Sequence, residues 1–207
     1  MMKKTLYPKT TRFGLDTTKV VLTEKVDGSN LGFFVKDNRL FIAQRNNIIP
    51  FAELDESKDV MYGGLYGWLK EHGQAMQNLI YADSVVFGEW VGMGRLKYDK
   101  AEFSSRFLMF AKARVDDELA VTKMVYDHEY FQYVFDGYVI PPFIGEVPLV
   151  AEFDYIPSLD ELNKLYDEYT AKVRRDVEGF VMNVNNTVRK YVRMKNGKLA
   201  PHTTKGE

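Results

Sequence analysis

Apolar and polar positions along this chain repeat with two periods. Residues 19–24 (Lys-Val-Val-Leu-Thr-Glu) form a short apolar run that reads as a strand. Residues 31–36 and 39–44 read as the two arms of a hairpin around Asp37-Asn38, which is turn chemistry between two apolar runs. The period then changes. Val60, Met61, Leu65, Trp68, Leu69, Met76, Leu79 and Ile80 recur at helical spacing and predict a helix within residues 57–81. Gly63, Gly64, Gly67 and Gly73 weaken that segment or split it in two. Residues 84–90 and 106–115, rich in Val, Phe and Met, read as strands.

Pro141-Pro142 and Pro148 break the middle of the chain. Beyond them Ser158 is a predicted N-cap, and Glu161 three positions later completes a capping box. Leu159, Leu162, Tyr166, Tyr169 and Val173 supply the apolar stripe of the helix that follows. Residues 179–184 and 188–195 read as two final strands joined at Asn185-Asn186. There is no repeat, low-complexity tract or long linker. The pattern predicts an α+β fold, largely antiparallel, with residues 1–207 as a single domain.

Composition narrows the function classes. A chain of 207 residues buries about 70% of its unfolded surface and needs no covalent staple. It has no cysteine, which excludes disulfides, thiolate metal sites and a cysteine nucleophile. A reducing cytoplasm is the natural home of such a chain, its own cell's or, for a viral protein, the host's. Met1-Met2-Lys3-Lys4-Thr5 leads into Tyr7-Pro8-Lys9 without an apolar run, so no signal peptide is expected. No apolar stretch approaches the roughly 18 residues of a membrane span, and no membrane partner is expected.

The net charge of −1 does not by itself point to nucleic acid. The distribution is less even. Lys172, Arg174, Arg175, Arg189, Lys190, Arg193, Lys195, Lys198 and Lys205 crowd the last part of the chain, where the plain reading is a solvated basic face. His72, His128 and His202 lack metal-ligand spacing and are expected in structural or surface roles. Phe107, Phe110, Tyr126, Tyr130, Phe131 and Tyr133, taken singly, are expected in the core.

The candidate chemistry begins at Glu24-Lys25-Val26-Asp27-Gly28-Ser29-Asn30. A lysine attacks phosphorus only as the free amine, so the site must let its proton leave. Gly28 allows a backbone to approach a phosphate closely. By composition, a K-x-D-G tetrapeptide arises by chance in roughly one chain of this length in twenty. Company strengthens it. Arg45 lies in Ala43-Gln44-Arg45-Asn46-Asn47, and Phe87-Gly88-Glu89-Trp90 closes a strand. Arg106-Phe107-Leu108-Met109-Phe110, Glu178-Gly179-Phe180-Val181 and Val192-Arg193-Met194-Lys195-Asn196 follow in that order.

This ordered set resembles the motifs of ATP-dependent RNA ligases of the RNA ligase 2 type, within the covalent nucleotidyltransferase superfamily. There, Glu-Lys-x-(His/Asp)-Gly-(Thr/Ser)-Asn carries the nucleotide, and Asn30 fits it where DNA ligases more often have an arginine. The resemblance runs from Thr23 to Lys198. It implies a nucleotidyltransferase (adenylation) domain: two mainly antiparallel sheets flanked by helices, with the nucleotide pocket between them. It also implies ATP and magnesium (Mg2+) or manganese (Mn2+) as cofactors. RNA with 5′-phosphate and 3′-hydroxyl ends is the expected partner, with DNA-containing duplexes as a further substrate.

The resemblance also assigns roles. Lys25 is the catalytic nucleophile that takes AMP. Glu24, through its backbone, reaches the adenine edge, which leaves its side chain replaceable. Val26 lines the nucleotide site, while Asp27 and Gly28 shape the motif. Asn30, at the pocket mouth, orients the RNA 3′-hydroxyl or a metal-bound water. Arg45 donates to ribose or substrate phosphate, and Glu89 accepts from a ribose hydroxyl. Phe110 stacks on the base, and strand alternation puts Phe107 on the opposite face. Glu178 supplies the metal's oxygen ligand. Lys195 binds the α-phosphate, and Arg193, two strand positions away and on the same face, binds the outer phosphates or holds Lys195.

Two residues depart from the family pattern: Arg193 stands for a lysine, and Ala111 for an aspartate. Twelve residues follow Lys195, too few for the appended domain such ligases carry. The expectation is therefore a minimal ligase or a catalytic domain, with a partner subunit as one way to replace that domain. The alternatives are a DNA ligase, an RNA-capping guanylyltransferase, or a nucleic-acid-binding relative without catalysis.

Overall fold

In the strand β1 (Val20–Glu24), alternate side chains face opposite ways. Val20 and Leu22 are fully buried in one cluster, while Val21 and Thr23 face a cavity. The computed structural model describes residues 18–44, 47–54, 62–92, 94–99, 101–195, 198 and 199, without the side chain of Lys195. Arg45 lies outside the described residues.

β1 is an inner strand of a four-stranded antiparallel sheet. It pairs with β9 (Leu149–Phe153) and β10 (Gly179–Val184), and β11 (Thr187–Val192) closes the far edge. Phe180, Met182 and Tyr191 join Val20 and Leu22 under the helix α2 (Leu159–Val173). Leu162, Tyr166 and Tyr169 form its buried face. The capping box forms as expected: the Ser158 Oγ accepts the Glu161 amide at 3.3 Å, and the Glu161 carboxylate accepts the Ser158 amide at 2.8 Å. Leu159 departs from the expected stripe; at the first helical position it lies outside the buried cluster and is 47% exposed.

The larger sheet contains β2 (Ser29–Lys36), β3 (Arg39–Ala43), β4 (Ile48–Pro50), β5 (Ser84–Trp90), β6 (Phe107–Val115) and β7 (Val121–Val125). Their order is β4-β3-β2-β5-β6-β7, antiparallel throughout, and β8 (Gly145–Glu146) adds a short parallel pair to β6. Asp37 and Asn38 both adopt positive φ (48° and 56°), the geometry that suits the right-handed twist of a tight hairpin. Leu31, Phe33, Val86, Trp90, Phe107 and Met109 pack against Leu65, Leu69 and Met76 of the helix α1 (Leu65–Leu79). That helix starts after Gly64 (φ 93°), so the glycine pair Gly63-Gly64 marks its beginning.

Each sheet thus carries a helix on one face, and the two remaining faces enclose a cavity of about 620 Å³. This is the α+β architecture expected from the sequence. One expected strand is broken. The run over residues 188–195 stops at Val192, and β12 (Met194–Lys195) pairs instead with β13 (Lys198–Leu199). The Glu178 carbonyl explains the break, because it accepts both the Arg193 and Met194 amides at 2.9 Å. Two residues opposing one is a bulge, and a bulge resets which face each following side chain takes.

Candidate active site

Lys25 leaves the end of β1 with its backbone held on both sides. Its amide donates to the Gly179 carbonyl at 2.9 Å, and the preceding Glu24 amide donates to Pro148 at 2.9 Å. Gly179 has φ 153°, and a Cβ there would collide with the Tyr191 carbonyl oxygen. Glycine is therefore required where β10 begins between β1 and β11. The Lys25 Nζ forms an ion pair with the Glu178 carboxylate, each side chain about a fifth exposed. Residues 153 positions apart in sequence meet here.

Glu89 reaches the same point from the other sheet, opposite Asn30 in the β2–β5 register. Burial pushes its carboxyl up to about 7; the Lys25 charge and the Gly28 amide pull it down, while Glu178 and Asp27 add to the rise. A carboxyl poised near neutrality can accept a hydrogen bond or donate one. Lys25, Glu89 and Glu178 therefore form one electrostatic unit across the gap between the sheets.

Gly28 packs tightly against β5. A Cβ on it would collide with the Trp90 carbonyl oxygen and come within 2.9 Å of Glu89 Cγ. Its absence lets the loop after Lys25 lie directly against Trp90 and Glu89 of β5. The Asp27 carboxylate accepts the Arg95 and Leu96 amides at 2.5 and 2.8 Å, and the Asp27 amide donates to the Tyr98 hydroxyl at 2.8 Å. Asp27 thus fixes the loop that follows β5.

Phe110 lines the cavity, whereas Phe107 is fully buried against Phe33 with ring centroids 4.8 Å apart. A bulge contributes to this placement: Phe87 pairs with Ala111 and Gly88 with Met109, leaving Phe110 unpaired. Val181 of β10 lines the same cavity from the other sheet. Glu24, Val26 and Asn30 also line the cavity.

Arg193 is not in this cavity. It shares the helix-side face with Tyr191, where its guanidinium lies 5.1 Å from the Tyr166 ring centroid and donates to Asn163 Oδ1 at 3.0 Å. The bulge at Arg193-Met194 removes the alternation on which a shared face with Lys195 depended. The side chain of Lys195 lies outside the described residues. Lys190, on the cavity side of β11, is a cation that pattern reading left in the solvated basic face.

The RNA ligase family model matches residues 18–196. The chain belongs to the RNA ligase family. Among solved structures it is similar to the Naegleria gruberi RNA ligase with pyrophosphate, at 15% identity and a TM-score of 0.55. A mutant of the same ligase with ATP and manganese gives 14% and 0.53, and another with AMP and manganese 13% and 0.51. Each match covers 85% of this chain and 50% of the other, so the chain spans about half the length of those structures. At such identity the likeness speaks for the fold. No curated protein matches the chain.

This family member also holds the Lys25 segment through residues its motifs do not include. The Glu24 side chain, expected to be replaceable, is fully buried; Arg175 donates to both of its oxygens at 2.8 Å, and the Tyr169 hydroxyl donates at 2.8 Å. Arg175 also pairs with Glu102 and lies 4.9 Å from the centroid of Tyr98, whose hydroxyl accepts from Asp27. Both flanks of Lys25 are thus tied to one guanidinium. In sequence Arg175 is one more member of the basic run; the only clue is that a charge beside a strand-end motif needs a partner if it is buried. Among the other aromatics, Phe131 is core, Tyr126 lines the cavity, and Tyr130 and Tyr133 are about half exposed.

Proposed function

We propose that this chain is an ATP-dependent RNA ligase that works through an AMP–lysine intermediate. The observation that carries the reading is the Lys25–Glu178 ion pair beside Glu89 at the wall of a between-sheet cavity. The Lys25 ammonium has Glu178 as its nearest acceptor. Once free, the amine attacks the α-phosphorus of ATP: the N–P bond forms and the bond to the pyrophosphate oxygen breaks. The AMP then passes to an RNA 5′-phosphate, releasing the lysine. An RNA 3′-hydroxyl finally displaces AMP and closes the phosphodiester.

The residues fit these steps in number and kind. Phe110 and Val181 sandwich the base, Glu89 meets a ribose hydroxyl, and Asn30 at the wall orients the RNA end. No three His, Asp or Glu side chains converge among the described residues. A divalent cation would therefore rest on Glu178, with Glu89 near, and otherwise on water and phosphate oxygens. When bound, it supplies neutralisation of the phosphate charge.

Intact mass after incubation with ATP and magnesium tests the first step. An AMP adduct is expected on the wild type and not on Lys25→Ala. An adduct from GTP alone would make the chain a capping-type guanylyltransferase. No adduct with any nucleotide would leave a nucleic-acid-binding relative. Joining of 5′-phosphorylated RNA strands, compared with nicked DNA, then separates an RNA ligase from a DNA ligase.

A further inference from the structure

Beyond Phe110 and Val181, the cavity ends in polar groups that nothing in the proposed mechanism uses. Asn183 is 8% exposed, and its Oδ1 is buried with no hydrogen-bond partner. His128 Nδ1 makes no hydrogen bond, although Asp127 Oδ1 lies 4.0 Å from it. Glu146 lines the same cavity from the β6 side, its carboxyl raised by burial and partly drawn back by His128. These groups come from three separate elements: β10, the 3-10 turn His128–Val134, and β8.

A buried acceptor left unsatisfied is unfavourable, so the orphan Asn183 Oδ1 facing this cavity calls for a ligand that completes it. The register places it. Asn183 sits opposite Val21, while Lys25 is four residues further along that chain and bonds to Gly179. At about 3.3 Å per strand residue, Asn183 lies roughly 13 Å along the sheet from the phosphate-reacting end. Val181 is the cavity-facing position in between. A base stacked on Val181 therefore has its far edge turned toward Asn183.

We propose that Asn183 reads the nucleobase, with its Oδ1 accepting a hydrogen bond from the exocyclic amine of adenine and His128 flanking the same edge. This reading makes Asn183 a specificity-determining residue and rests on the nucleotide site proposed above. A site built to pair with an N–H group rejects an analogue lacking it far more strongly than one built on shape, because its own acceptor is left bare.

Calorimetric titration of the chain with AMP and with purine riboside 5′-monophosphate, which lacks the 6-amino group, tests the inference without any covalent step. The wild type is expected to bind AMP at least about tenfold more tightly, the worth of one hydrogen bond to a buried acceptor. Asn183→Leu, which keeps the branched shape without the amide, should weaken AMP about tenfold and leave the analogue nearly unchanged, so the preference collapses. Equal binding of both ligands by the wild type would overturn the proposal, as would failure of AMP to bind. An Asn183→Leu variant that loses both ligands equally would also overturn it, provided its melting temperature shows it folded. These outcomes differ from a failure of the ligase reading, which is the absence of an ATP-derived adduct on a chain that still discriminates AMP.

Discussion

Arg175 grips Glu24 through two parallel hydrogen bonds of 2.8 Å, fixing the carboxylate immediately before Lys25. The paired geometry suits a guanidinium fork on a carboxylate. Because Arg175 also meets Glu102, the clamp joins the β1 sheet to the segment between β5 and β6. Lys25 is thus positioned by a network that crosses both sheets.

Breaking one side of that pair leaves a buried charge bare. Arg175→Met is expected to cost about 3–5 kcal/mol of stability. Adding Glu24→Gln removes the uncompensated charge and should restore more than half of that loss. Urea unfolding of the two variants beside the wild type measures both effects. Equal stability of the single variant and the wild type would mean that the pair contributes nothing.

Glu89 makes stability depend on pH in a defined direction. Its folded value of about 7 lies above the ordinary 4.5, so the folded chain holds a proton that the unfolded chain has released. The contribution is complete below about 4.5 and is lost as pH rises through about 7, by up to about 3 kcal/mol. Glu89→Gln should abolish this component and be the more stable chain at pH 8. Urea midpoints at pH 5.5 and pH 8, compared between wild type and variant, isolate it from other titrating groups.

Arg193 stands where the family pattern expects a phosphate ligand, yet its guanidinium packs on α2. Arg193→Ala is therefore expected to lower stability by about 1–2 kcal/mol through the lost ring contact and hydrogen bond. Nucleotide affinity should change little. Loss of AMP binding in a fully stable variant would return Arg193 to the phosphate site.

Much of this was legible in the chain. The capping box at Ser158 and Glu161 and the Asp37-Asn38 turn are local, because their partners lie within a few residues. The core strands were legible because an inner strand must alternate or be wholly apolar. The strands β4, β7, β8 and β9 were not: they are short or polar, and pairing rather than pattern makes them strands. The broken alternation at Arg193 was equally hidden, since a bulge depends on which carbonyl lies opposite.

By itself the sequence determined the order of the motifs and the family they belong to, because Lys25, Glu89 and Glu178 are written in residue types. Only the tertiary structure decided which groups meet. It set Lys25 against Glu178, turned Arg193 away from the cavity, buried Glu24 on Arg175, and left the Asn183 Oδ1 without a hydrogen bond. The reason is physical: pairing across sheets depends on register and desolvation, and these exist only once distant strands have packed.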